Sequence, residues 1–268
     1  MKKRMAYIVV LGFFIFAIPA GLYAGWGVGT DIGYWKMDAD DLKTDMKDGA
    51  LTAADSGDGY TGKITQGTIN PGLRFFYEYP LKNEWLMGAS LGFGKSASIK
   101  YSSAYTDSLV PADSWSNKLE NTAYNIPFEF YARWKKEKIA FSGGLGLNYF
   151  VMKTEIKTSD SSGDCSGDFD KNKIVPHVSL GGEYFVKENF SLGLNLKYLF
   201  SGKVDDFRGD FTGVSGEQKL IMAYDPPYGR YLDMVPSSQA LSSGDKLFGY
   251  DMSGLRINLA ANYYFGGE

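Results

Sequence analysis

The chain has 268 residues and a formal net charge of -3, which gives no electrostatic reason to expect a nucleic-acid partner. With 33 Gly and 16% aromatic residues, it has the composition of an all-β protein with many turns. A single cysteine, Cys165 in a polar run, excludes an intrachain disulfide.

The chain opens with the pattern of a cleavable export signal over residues 1–24. Lys2, Lys3 and Arg4 precede an apolar run, 6–19, and the small residues Ala20, Gly21 and Ala24 follow. That run is shorter than the roughly 20 residues of a spanning helix. Nothing later in the chain is long and apolar enough to be one. The remainder, 25–268, is expected to be one barrel domain.

Eight segments then alternate with period two, the signature of strands with one apolar and one polar face. They cover 25–37, 68–79, 85–94, 121–134, 139–152, 174–186, 190–201 and 253–265. The last is the clearest. Leu255, Ile257, Leu259, Ala261, Tyr263 and Phe265 form its apolar set, against Arg256, Asn258, Ala260, Asn262 and Tyr264. The connections alternate in length. Long polar stretches at about 38–67, 95–120, 153–173 and 202–252 alternate with turns of a few residues. Soluble domains rarely carry such loops, whereas outer-membrane barrels pair short periplasmic turns with long external loops. Aromatic residues of the apolar faces gather beside the short turns: Tyr77, Tyr79, Trp85, Trp134, Tyr184, Tyr263 and Phe265. This suits a girdle at a membrane–water interface.

The fold expected is therefore an all-β, eight-stranded antiparallel transmembrane up-and-down barrel. It would be exported to the bacterial outer membrane, in contact with its lipid and lipopolysaccharide. The stretch 176–201, PHVSLGGEYFVKENFSLGLNLKYLFS, resembles the OmpA/OmpW-like outer-membrane β-barrel family. The ending Asn262–Tyr263–Tyr264–Phe265 looks like the aromatic signal of that family read by the barrel-assembly machinery. The resemblance implies architecture and leaves activity open.

The polar faces hold the acids Asp31, Glu78, Glu129 and Glu183 and the bases Arg74, Arg133, Lys197 and Arg256. An eight-stranded barrel is just wide enough for side chains to fill. Isolated buried charges are costly, so these residues are expected to form a charge network plugging the lumen. The protein would then act in surface structure or interaction through its external loops, with an external protein or a neighbouring barrel as a partner. A narrow OmpW-like channel for small or hydrophobic solutes is the alternative.

Enzymatic activity is not expected. His177-Val178-Ser179 resembles the His-x-Ser of outer-membrane lipid A deacylases, and Glu183 shares its face. However, that face points inward and the following residues do not continue the motif. A lipid A-modifying enzyme stays a remote third possibility. Asp38, Asp40, Asp41, Asp55 and Asp58 in the first loop, with Asp160, Asp164, Asp168 and Asp170 in the third, are expected to be solvated. Their spacing does not match a calcium loop, and no cofactor or metal is expected. The last stretch, 202–252, contains apolar segments that could fold as an extra hairpin or cap.

Overall fold

The computed structural model describes residues 25–110, 114–161, 163–226 and 229–265. The expected export signal, 1–24, lies outside them. In chain order the elements begin with β1 (Gly25–Tyr34), helix α1 (Asp40–Ser56), β2 (Gly59–Gly67), β3 (Ile69–Pro80) and β4 (Trp85–Thr106). Next come β5 (Trp115–Lys136), β6 (Ile139–Asp160), β7 (Gly163–Lys187) and β8 (Phe190–Leu199). Short strands follow: β9 (Lys203–Asp205), β10 (Arg208–Phe211), β11 (Gln218–Asp225), β12 (Gly229–Pro236), β13 (Lys246–Leu247) and β14 (Gly249–Asp251). The last is β15 (Gly254–Phe265).

Eight of these strands close into an antiparallel ring in the order β1, β3, β4, β5, β6, β7, β8, β15. The seam is β15 against β1, from Trp26 opposite Phe265 to Tyr34 opposite Ile257. Closure leaves no free edge at this level. The turn between β3 and β4 holds Asn83 and Glu84 at φ 58° and 67°. Positive φ at both central residues of the tight turn from Lys82 to Trp85 gives it the hand that suits the right-handed twist of its strands.

The outward face of the ring is apolar and bare. Ile32, Phe75, Met87, Phe93, Phe130, Leu145, Leu180, Leu194, Ile257 and Leu259 are all exposed. An apolar belt of this extent must be covered by something other than water.

The polar stretches expected as loops are largely ordered. β4, β5 and β6 each run 22 residues and β7 runs 25, about twice the length of a spanning strand. The physical reason is an inversion of polarity along each strand. In β6 the outward residues Leu145, Leu147 and Tyr149 give way to Lys153, Glu155 and Lys157, while the inward Ser142 and Asn148 give way to Phe150, Met152 and Ile156. The strand is apolar-out beside the belt and apolar-in beyond it. In β4 a bulge between Lys95 and Ser98 also shifts the parity. Phe93 faces outward, but Ile99 and Tyr101 face inward and are buried.

Beyond the belt these long strands meet the other connections. β2 pairs with β4 along its full length, β10 pairs with β7, and β11 pairs with β10 and β12. Helix α1 packs against both β12 and β2, the outer strands of this second wall. It ends at Gly57, whose left-handed φ of 77° returns its N–H to the Ala53 carbonyl. Asp41, Asp45 and Asp48 fall on one helical face, spaced four and three residues apart.

That acidic face serves the sheet edge. Asp48 accepts the Arg230 N–H at 2.8 Å and Asp45 the Leu232 N–H at 3.0 Å. The next alternate N–H, from Met234, is taken by Asp233 at 2.7 Å. Three edge donors of β12 thus gain side-chain acceptors. Asp41 accepts the Gly249 N–H at 2.9 Å and lies 2.7 Å from both Lys203 and Lys246. Asp41 is buried, so the expectation that it is solvated is corrected; Asp45, not singled out in the sequence, is buried beside it.

Inside this second wall is an apolar core. Trp35, Met37, Leu42, Ile99, Phe150, Met152, Phe169, Leu220, Met222, Phe248 and Tyr250 are nearly or fully inaccessible and form one cluster. Each fully buried side chain of this size contributes about 1.5–3 kcal/mol. The stretch 202–252 supplies many of them and is a folded part of the cap.

Candidate functional site

The lumen of the ring lies below that core, and the eight charged residues expected there are placed as follows. Arg133 on β5 is 1% exposed in its side chain, and its Nη1 lies 2.6 Å from Glu78 Oε1 on β3. Its Nη2 lies 3.5 Å from Glu183 on β7. Arg74 lies 3.8 Å from the other oxygen of Glu183 and donates to Asn262 at 2.9 Å. Tyr131 donates to Glu78 at 2.9 Å, and Ser191 and Tyr264 each donate to Glu183 at 2.7 Å. The Arg133 guanidinium also lies 4.8 Å from the ring centroid of Tyr264 and 5.2 Å from that of Phe185. This cluster sits at the short-turn end.

A second cluster lies further in. Glu129 Oε2 is 2.8 Å from Lys197 Nζ and 2.9 Å from His177 Nε2, while its Oε1 accepts from Ser179 at 2.9 Å. Asn148 meets His177 Nδ1 at 2.7 Å. If Asn148 donates there, the ring proton sits on Nε2 and points at Glu129. Gly146 makes room for this ring, because a Cβ there would come within 2.5 Å of His177 Cε1. The remaining pair, Arg256 and Asp31, is 3.6 Å apart across the β1–β15 seam. Arg256 also donates from Nε to Asn258 at 2.9 Å.

All eight face one lumen, where sequence parity also put His177 and Ser179; which group each charge meets was not read from the sequence. His177, Ser179, Tyr131, Ser191, Asn262 and Tyr264 are part of the network. All lie on the inward sets of their strands, and that parity was the available signal. The acid that meets His177 and Ser179 is Glu129, whereas Glu183 belongs to the arginine cluster. Both His177 and Ser179 are buried in the lumen, away from the lipid-facing surface.

Among the described residues, cavities lie between these side chains. One of about 50 Å³ is lined by Asp31, Arg74, Glu129, Lys197, Arg256 and Asn258 among others. Another of about 10 Å³ lies among Arg74, Glu78, Tyr131, Glu183 and Tyr264. The larger has room for one or two waters at roughly 30 Å³ each. Among the described residues no group of three or more His, Cys, Asp and Glu is placed to hold a metal. Cys165 is exposed and unpaired, and it lies on β7 opposite Thr158.

The aromatic residues beside the short turns cluster on the outside. Tyr79, Trp85, Tyr184, Tyr263 and Phe265 are exposed, while Tyr77 and Trp134 are half-buried. Trp134 stacks on Phe141 with centroids 6.2 Å apart, and Tyr263 meets Phe265 edge-on at 5.1 Å.

Residues 51–202 match the outer membrane protein beta-barrel domain. The chain belongs to that family. It is thus an outer-membrane barrel whose eight ring strands cross the bilayer, with short periplasmic turns and long extracellular hairpins. No curated protein matches the chain. Solved structures similar to it include OprG from Pseudomonas aeruginosa, at 12% identity over 91% of this chain and 96% of that one, with a TM-score of 0.40. The attachment invasion locus protein Ail of Yersinia pestis, bound to the heparin analogue sucrose octasulfate, is 10% identical over 91% and 99%, with a TM-score of 0.37. The Escherichia coli outer membrane protease OmpT is 8% identical over 90% and 96%, with a TM-score of 0.41.

Proposed function

We propose that this protein is a sealed, non-catalytic barrel that holds a rigid platform at the cell surface and acts there by contact. The observation that carries this reading is the apolar core closing the extracellular half above a salt-bridged lumen. A conducting path would need both the packed core and the ion pairs to part. The platform is ordered by the long hairpins and by α1 clamped along β12, which suits recognition by a preformed surface. In this reading Tyr77, Tyr79, Trp85, Trp134, Tyr184, Tyr263 and Phe265 anchor the periplasmic rim at headgroup level. The terminal Tyr263–Phe265 segment serves the assembly machinery, and an external protein or neighbouring barrel meets the platform.

The second reading, a narrow solute channel, draws on the 50 Å³ cavity lined by Arg74, Lys197 and Arg256. The two are separated by efflux of small sugars and ions from liposomes carrying the folded protein. Retention equal to that of empty liposomes supports the sealed barrel, and rapid efflux supports the channel. The enzymatic reading has less support, because His177 and Ser179 are enclosed by the lumen network.

A further inference from the structure

A lysine-lined cleft lies on the outer wall of the extracellular half, away from the lumen. Lys63 on β2, Lys100 on β4, Lys118 on β5 and Lys157 on β6 line a cavity of about 320 Å³. Strand register explains the opening. Lys63 lies opposite Ser102, Ser102 opposite Lys118, and Lys118 opposite Lys157. Three lysines therefore share one transverse row, and the small Ser102 leaves a gap between two of them.

This arrangement is electrostatically unsatisfied. Lys118 and Lys157 are direct cross-strand neighbours, and like charges so placed repel. Glu120 and Glu155 sit one row nearer the membrane, and they pair with Lys100 at 2.9 Å and Lys157 at 2.7 Å. Among the described residues, Lys63 and Lys118 make no ion pair or side-chain hydrogen bond. Four lysines face two glutamates, and two of the lysines are free to take an anion. Further round the wall the lower row turns acidic at Asp168, opposite Glu155.

The height of the cleft selects the anion. β5 leaves the apolar belt at Tyr124, and Glu120 and Lys118 lie about 13 and 20 Å further along the strand at roughly 3.3 Å per residue, which a barrel tilt of roughly 40° makes about 10 and 15 Å above the belt. A glycolipid of the outer leaflet presents its phosphorylated saccharide at that level. Lysine binds phosphate as a mobile point charge and needs no fixed fork geometry. We propose that this cleft binds a phosphate group on the saccharide of outer-leaflet lipopolysaccharide. The site is on the outside wall and does not depend on whether the lumen conducts.

The test titrates the folded full chain in detergent with rough lipopolysaccharide, intact or enzymatically dephosphorylated. The expected result is that Lys63→Glu/Lys118→Glu weakens binding of the intact lipid by about tenfold or more. Dephosphorylated lipid should bind both proteins equally, and Lys187→Glu at the periplasmic rim should bind like the wild type. Equal binding of intact lipid by wild type and double variant overturns the proposal. If the double variant does not show the heat-dependent gel shift of a folded barrel, Ser102→Trp replaces it. That variant fills the cleft without changing charge and should weaken binding comparably; binding at wild-type strength overturns the proposal. A double variant altered only in self-association would assign the lysines to the acidic wall of a second copy and also overturn it.

Discussion

Arg133 stands between two acids from different strands, with Nη1 2.6 Å from Glu78 and Nη2 3.5 Å from Glu183. Glu78, by contrast, faces this one cation and the Tyr131 hydroxyl. Removing Arg133 therefore leaves two buried acids short of a partner, whereas neutralising Glu78 leaves Arg133 still beside Glu183. Breaking a buried pair from one side costs about 3–5 kcal/mol. Arg133→Met should fall in that range in urea unfolding from lipid vesicles, and Glu78→Gln should cost clearly less. The double variant should be less destabilised than the sum of the two. Additive losses would mean the pair is not coupled.

His177 is held by Glu129 and Asn148 and sits inside the lumen. His177→Ala should lower stability by about 1–3 kcal/mol, because polar partners are left unsatisfied. The acylation pattern of lipid A, read by mass spectrometry from cells carrying the variant, should not change. An altered pattern would reinstate the enzymatic reading.

The cap has its own pH dependence. Burial pushes the carboxyls of Asp45 and Asp233 above the usual carboxylate range, with the Asp48 charge adding to the effect on Asp45. A raised acid pKa means that the folded cap penalises the charged form. Stability should therefore rise as pH falls from neutrality through the raised pKa values. Asp58 acts in the opposite sense. Hydrogen bonds from Ser56 and Tyr105 hold its carboxyl low, so its contribution is lost only in more acidic solution. Hydrogen-exchange protection of the α1 amides, corrected for intrinsic rates, should increase from pH 7 to 5. Asp45→Asn should flatten that rise. Asp45→Ala should cost about 1–3 kcal/mol at pH 5, since the Leu232 N–H and Tyr101 hydroxyl lose their acceptor, and less at pH 7, where the buried carboxylate it removes is itself penalised.

The ring was legible in the sequence because each of its strands keeps one apolar parity across the bilayer. Leu255 to Phe265 against Arg256 to Tyr264 is the plainest case. The inward charges were legible for the same reason. Of the cap only the apolar segments of 202–252 were legible, as an extra hairpin or cap; the long strands that build its wall were not, because they reverse that rule on leaving the lipid. Phe150, Met152 and Ile156 continue the alternation of β6 inward while Lys153, Glu155 and Lys157 turn to water. A period-two test without a fixed apolar face would have carried β6 to its end. In β4 even that fails, because the bulge between Lys95 and Ser98 shifts the parity itself. The partners of the cap acids were further out of reach. Asp45 meets Leu232 across 187 positions, and no local pattern encodes such a contact.

The central claim is that packed side chains, apolar above and ion-paired below, seal this barrel. Single-channel recording of the folded protein in planar bilayers tests it most directly. The account predicts a silent bilayer for the wild type at moderate voltage. Steady, reproducible openings of the wild-type protein would contradict it.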